Sequence, residues 1–380
     1  MRVLYVLDEF PDPNAGTERQ FLELVAGMRA RNVEVSMALL RSAPTLQHAL
    51  SDVPTCVLGL TTLRSLSAPR ALWKLTRWAR ARGCRLAHLY FNDAAIACPV
   101  PLRLAGLPVV VSRRDLGFWY SAANLPLLRL NRYAVAAVIA NSEAVRREVI
   151  AREHYPPCKV VTIYNAWRDR AGSGDPGAVR EALGIPPRAR MLLAVGNLRP
   201  LKRVDDAIRI LASSQVQGDV WLCVVGGDRP GQHGSEQARL RQLAADLGVA
   251  GRVVFAGAQE DPWPIVQACD IGLLCSETEG LSNALIEYCA AGKPVVCSAA
   301  GGNGEVVLDE LSGFIFPIGD VSLAAERVAR LLRDAELAAT MGARGQQRVR
   351  EQFGLQRMTE RHLELYRTVA SDPAGLVALR

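Results

Sequence analysis

Two carboxylates, Glu279 and Glu287, stand at the two ends of Glu279-Gly280-Leu281-Ser282-Asn283-Ala284-Leu285-Ile286-Glu287. The run Asp270-Ile271-Gly272-Leu273-Leu274-Cys275 before them is short, apolar and bounded by polar residues, as a buried parallel strand is. Asn283 to Ala291 has the length and composition of a helix, Ser282 or Asn283 supplies its N-cap, and Gly292-Lys293-Pro294 stops it. Glu279 therefore falls just before a helix and Glu287 about one turn inside it. Helix N-termini leave N–H groups that attract anions, and carboxylates accept hydrogen bonds from hydroxyls. A ligand carrying both hydroxyls and phosphate, such as a sugar nucleotide, satisfies the arrangement.

The elements that position this stretch alternate along the chain. Val295-Val296-Cys297-Ser298 supplies the next strand, so the stretch occupies a strand-to-helix loop, where open parallel sheets bind ligands. Val3 to Leu7, a helix from about Thr17 to Arg31 and Val33 to Leu40 complete a βαβ unit at the start. Ala15-Gly16-Thr17-Glu18 is a minimal glycine turn into that helix, without GxGxxG; a plain tight turn and a phosphate approach both fit it. Further strands are expected at Arg85 to Tyr90, Leu107 to Ser112, Val135 to Asn141 and Val160 to Asn165. A second series follows at Met191 to Gly196, Val220 to Val225, Val253 to Ala256, Ile271 to Cys275 and Val295 to Ser298. Arg170-Ala171-Gly172-Ser173-Gly174-Asp175-Pro176-Gly177 is the richest turn-forming stretch and the best boundary. The expected division is a domain over 1–168, a linker over 169–189, a domain over 190–353 and a C-terminal helix, 354–380, returning to the first domain. The expected site is the cleft between the two domains.

With 380 residues the chain exceeds one typical core. Nine cysteines without a CxxC pair suit a reduced, cytoplasmic protein rather than a disulfide framework, and five histidines show no metal spacing. A strand-like run from Met1 with Asp8 and Glu9 close behind argues against a signal peptide, and no apolar span reaches membrane length. A net charge of +7 suits an anionic partner without choosing among nucleic acid, membrane and phosphate-bearing substrate. Ala68 to Arg85 sets Trp73 and Trp78 among six arginines and lysines. It reads first as a packing helix with a solvated basic side, and second as a segment resting on an anionic bilayer.

Taken together the chain resembles the retaining glycosyltransferases of family 4. Glu279 and Glu287 match that family's E-x7-E motif, and Asn14-Ala15-Gly16-Thr17-Glu18, Ala140-Asn141-Ser142-Glu143, Val195-Gly196-Asn197-Leu198-Arg199-Pro200-Leu201-Lys202, Val225-Gly226-Gly227-Asp228 and Gly292-Lys293-Pro294 match in order. The resemblance implies the α/β GT-B fold, two doubly wound Rossmann-like domains of parallel sheet facing each other across a cleft. It implies transfer of a sugar from a UDP- or GDP-sugar to an acceptor hydroxyl with no cofactor and no metal. Glu287 then takes the ribose hydroxyls, Lys202 the diphosphate and Glu279 the transferred sugar. Gly196, Asn197, Gly226 and the backbone of Leu281, Ser282 and Asn283 line the donor, and Gly16 approaches it from the other domain. Asp93, Arg113, Phe118 and Trp119 fall on the acceptor side.

The chain departs from the family pattern at three places. Asn197 stands where the family has an arginine, and Arg199 takes over that charge. Arg114, followed by Asp115, stands where the family has a histidine; an arginine does not act as a general base and suits an anionic group instead. Asn165-Ala166-Trp167 replaces an Asn-Gly pair. The acceptor class implied is a polysaccharide, lipopolysaccharide or glycolipid, on the cytoplasmic face of the inner membrane, with nucleic acid excluded. A nucleotide-sugar 2-epimerase and a catalytically silent nucleotide-sugar binder are the alternatives on the same fold.

Overall fold

The computed structural model describes residues 1–10, 15–170, 174–228 and 235–371. They form two compact units: Met1–Asn165 together with the helix Leu355–Ser371, and Ala166–Gly354.

The first unit is built on a parallel sheet of β1 (Arg2–Leu7), β2 (Glu34–Leu39), β3 (Thr55–Val57), β4 (Leu86–Leu89), β5 (Val109–Arg113), β6 (Ala137–Ala140) and β7 (Val160–Thr162), in the order β3-β2-β1-β4-β5-β6-β7. The second carries β8 (Arg190–Val195), β9 (Val220–Val225), β10 (Val253–Gly257), β11 (Ile271–Leu274), β12 (Val295–Ser298) and β13 (Phe314–Phe316), in the order β10-β9-β8-β11-β12-β13. Helices on both faces account for the nearly continuous apolar character of the strands. Strand order reverses between β1 and β4 in one sheet and between β8 and β11 in the other. There the following loops diverge and leave a crevice at the carboxyl edge. β3 and β13 escape sequence reading because Pro54 and Gly59 flank the one, and Gly313 and Pro317 the other, cutting their apolar runs short.

Three segments differ from the sequence expectation. Part of the stretch read as a linker is the helix Pro176–Ala182, started by Asp175 as N-cap and Pro176 in the first turn. Arg180 fastens it to the second unit through Ala268 O (2.9 Å) and Asp270 Oδ2 (2.8 Å). The C-terminal helix expected over 354–380 is Leu355–Ser371, parted at Phe353-Gly354 from the helix Ala335–Gln352 before it; residues 372–380 lie outside the described ones. In the basic helix Ala68–Ala81, Trp78 packs on the core while Trp73 stays 59% exposed, so one tryptophan rather than two faces outward. Among the described residues no helix is long and apolar enough to cross a membrane.

A buried polar network fixes the last helix in the first unit. Tyr366 Oη lies 2.6 Å from His88 Nδ1 and 3.3 Å from Tyr5 Oη, and His88 Nε2 lies 2.9 Å from Ser112 Oγ. Burial holds both imidazoles neutral, pushing the pKa of His88 well down and that of His362 to about 3. Unfolding releases each to protonate near its ordinary 6.5, so the stability they contribute is present above that pH and lost as pH falls toward 3. Asp8, raised to about 6 by burial, acts in the opposite sense between 3.8 and 6. Replacing His362 by Phe should flatten the acid-side decline of the first unit's unfolding free energy by up to about 1.4 kcal/mol per pH unit. Denaturant titrations from pH 7 to pH 4 measure it, and an unchanged slope contradicts a neutral buried imidazole.

Candidate active site

The central stretch of the second unit is held in place from below by Tyr288. A Cβ on Gly272 would stand 2.4 Å from the Tyr288 ring, so only glycine in β11 lets that ring lie against the strand. Tyr288 Oη then donates to Leu193 O (3.0 Å) and accepts from Val195 N (2.9 Å), tying the helix Asn283–Ala290 to β8. Ser282 caps this helix, its Oγ accepting from Leu285 N at 3.4 Å.

On this platform the loops after β8 and β11 meet at the point of strand reversal. Glu277 N donates to Leu201 O at 2.8 Å. Lys202, at the end of the short helical turn Pro200–Lys202, reaches Glu279 with Nζ 2.6 Å from Oε1. Ser276 Oγ donates to the same oxygen at 2.6 Å, and Ser276 O accepts from Ser298 Oγ at 2.6 Å. Glu279 is 10% exposed and Lys202 28%, so the pair sits at a partly dried boundary. An ammonium has three donors. Glu279 takes one, and the charge is only locally balanced, so an arriving anion still finds donors and a positive centre.

Around the pair the backbone comes unusually close. Gly226 has φ +143°, and a Cβ there would stand 2.0 Å from Gly196 O. Leu198 N donates to Gly227 O at 2.9 Å, binding the two glycine turns together. Lys202 runs over Gly196, whose Cβ position is 3.7 Å from the lysine stem. Asn197 is exposed, Arg199 half-buried, Leu281 and Ser282 buried and Asn283 half-buried. Glu287 is 4% exposed, one turn and a half past the cap. All these residues are gathered at the carboxyl edge of β8, β9 and β11. The clamping roles of Ser276, Ser298 and Tyr288 are not visible in sequence, although the glycine in β11 hints at a close neighbour.

The residues assigned to the first unit divide differently. Gly16 is exposed at the start of the helix Gly16–Arg29, and Asn14 lies outside the described residues. Asp8 accepts from Asp93 N (2.8 Å) and Ala94 N (2.6 Å), closing the start of the helix Asn92–Ala97, while the Asp93 carboxylate pairs with Arg41. Arg113 does not line a surface: it is 5% exposed and forms a two-pronged pair with Glu153, Nε to Oε1 at 2.6 Å and Nη2 to Oε2 at 2.8 Å. Tyr120 Oη also donates to Glu153. Asp115 folds the next loop by accepting from Gly117 N (2.7 Å) and Trp119 Nε1 (3.1 Å), and its pKa is raised because it is buried. Phe118 remains 59% exposed. Arg114 is half-buried, giving Nη1 to Asn165 Oδ1 at 2.8 Å. Among the described residues no three His, Cys, Asp or Glu side chains gather as a metal site would require.

A family model described as Glycosyl transferases group 1 matches residues 177–348, and one described as Glycosyltransferase Family 4 matches residues 15–167. The chain belongs to glycosyltransferase family 4. Among curated proteins it is similar to N-acetyl-alpha-D-glucosaminyl L-malate synthase of Bacillus anthracis, 29% identical over 60% of this chain and 60% of that one. It thus spans about three-fifths of that relative's length. A longer match joins it to the lipopolysaccharide core biosynthesis glycosyltransferase LpsD of Rhizobium meliloti, 27% identical over 92% of this chain and 94% of the other. Among solved structures, Anabaena HepE in complex with UDP has a TM-score of 0.84 at 22% identity, covering 97% of this chain and 100% of that one. These likenesses agree with the two parallel-sheet units in giving the GT-B fold.

Removing one member of the Lys202–Glu279 pair strands the other in a half-dry site. Lys202→Met and Glu279→Gln should each lower the stability of the second unit by about 1–2 kcal/mol, and the double variant should cost less than the sum. Chemical denaturation of the four proteins measures the coupling; strict additivity contradicts the pair.

Proposed function

We propose that this protein moves a sugar from a nucleoside diphosphate sugar to an acceptor hydroxyl with retention of anomeric configuration. The observation that carries the reading is the meeting of Lys202, Glu279 and Ser276 beside the capped start of the helix Asn283–Ala290. A departing diphosphate gathers negative charge, and Lys202, Arg199 and the N–H groups of Leu281, Ser282 and Asn283 lie where preorganised dipoles and cations would stabilise it. Glu287 accepts from the ribose hydroxyls and Glu279 from the transferred sugar. The donor phosphate takes the acceptor proton on the face it leaves, so no protein nucleophile and no metal take part.

UDP is the favoured nucleotide, GDP the other candidate. The solved HepE complex with UDP-glucose, 23% identical with a TM-score of 0.83, supports UDP. The names of the two curated relatives support glycan or small anionic acceptors. Against epimerisation and silent binding, the family's transferase members favour transfer.

The acceptor is proposed to be reached at an anionic membrane surface. Between residues 53 and 142 the chain carries twelve arginines and lysines and only two carboxylates, Asp93 and Asp115. The same span exposes Trp73 by 59%, Leu104 by 80%, Leu130 by 59% and Tyr133 by 72%. Arg80 Nε donates to Ala105 O at 2.9 Å and Arg132 lies over Tyr133 at 4.8 Å, so basic and apolar groups adjoin, as bilayer headgroups favour.

Thermal unfolding with UDP, GDP and their sugars tests the donor. A nucleotide at a hundred times its Kd should add about 2.7 kcal/mol of apparent stability, and no shift with any of them refutes the reading. Lys202→Ala should slow transfer about a hundredfold, roughly 3 kcal/mol, with product anomers read by NMR. An inverted anomer contradicts retention. For the membrane, cosedimentation with vesicles of 30% anionic lipid should fall steeply with salt and weaken in Trp73→Ser; equal binding to neutral vesicles contradicts it.

A further inference from the structure

Arg114 follows β5 at the carboxyl edge of the first sheet, and the ends of three other strands converge on it. Asn165, beyond β7, accepts its Nη1 at 2.8 Å. The Tyr90 ring, beyond β4, lies 5.3 Å beneath the guanidinium carbon. Asn141, beyond β6, donates Nδ2 to Arg114 O at 3.3 Å. The plane of the guanidinium is thereby set, yet its charge is not met: among the described residues no carboxylate pairs with it. Its neighbour Arg113 shows what this fold does with a structural arginine, burying it against both oxygens of Glu153.

Among the described residues two buried polar atoms at this corner also lack a hydrogen-bond partner, Arg114 Nε and Asn141 Oδ1, while Tyr90 Oη interacts with the Arg114 and Ser112 side chains. Buried polar atoms are nearly always satisfied, and a cation half out of water without a counter-charge is costly. Directly after Tyr90, Phe91 holds φ 68° and ψ −174°, a backbone region that only glycine enters without strain. Strain and unmet polarity thus coincide at one corner of the sheet, where parallel α/β units bind ligands.

We propose that Arg114 anchors a carboxylate or phosphate group, other than the donor's diphosphate, carried by one of the two substrates. This rests on the transferase reading above and adds to it the charge of what the first unit recognises. The planar fork suits either anion, and its orientation by Asn165 and Tyr90 lowers the entropy lost on binding. A neutral ligand at this corner leaves the cation unmet and binds more weakly.

The test is calorimetric titration of the full chain with two matched pairs. UDP-glucose against UDP-glucuronate examines the donor; glucose against glucose 6-phosphate, with UDP bound, examines the acceptor. The native protein should bind the charged member of one pair at least about tenfold more tightly. Arg114→Met should bring that ratio within about twofold, Arg114→Lys should keep part of it, and UDP affinity should stay the same in all three. Should Arg114→Met fail to fold, Arg114→Gln takes its place. No preference in either pair, or a preference that survives loss of the charge, overturns the anchor. Failure of the native protein to bind UDP overturns the transferase reading instead.

Discussion

The pairing of β8 with β11 is the constraint on which the rest of the second unit depends. Because strand order reverses there, the loops leaving the two strands turn apart and then face each other over one crevice. Lys202 and Glu279, far apart in sequence, come within 2.6 Å as a result. The register itself is locked from beneath: Gly272 admits the Tyr288 ring, and that one hydroxyl serves a carbonyl and an amide of β8. A side chain at Gly272 would push the helix from the sheet and carry the whole loop with it.

The molecule uses a cation–carboxylate pair for two different ends, and burial and the type of cation distinguish them. Arg113 and Glu153 are 5% and 0% exposed, and their four-atom contact consumes both groups. Desolvation there is offset by geometry alone, which gives shape to the loop from Asp115 to Tyr120 and nothing to a ligand. Lys202 keeps more than a quarter of its surface, uses a single oxygen of Glu279 and shares that oxygen with Ser276. Such a pair leaves the remaining donors of the ammonium uncommitted.

Most of the architecture was legible because parallel strands buried on both faces are continuous apolar runs, and eleven of them, from Val3 to Leu7 through Val295 to Ser298, stand out as such. β3 and β13 were not, since glycine and proline on both flanks cut their apolar runs short, whereas the equally short β7 continues into Ile163. Motif order around Glu279 and Glu287 marked out the candidate site, whereas the ion pair between Lys202 and Glu279 was not legible, because contact across 77 positions has no local signal. Arg113 and Arg114 show the same limit more sharply. Adjacent and chemically identical, they point to opposite sides of an extended chain, and only Glu153, forty residues on, decides which is buried.

The helix Leu355–Ser371 has a consequence for the order in which this chain can become a protein. Ala166–Gly354 is continuous, so on the ribosome the second unit holds all its own strands as soon as it has emerged. The first unit emerges earlier but lacks Tyr366, whose hydroxyl meets Tyr5 across 361 positions and closes over His88. Until that helix arrives, the polar faces of Tyr5 and His88 and the cleft beside Gly27, which Thr359 fills, lie open to water. The part of the chain made first is therefore completed last, and during synthesis it is the first unit that needs shelter from aggregation.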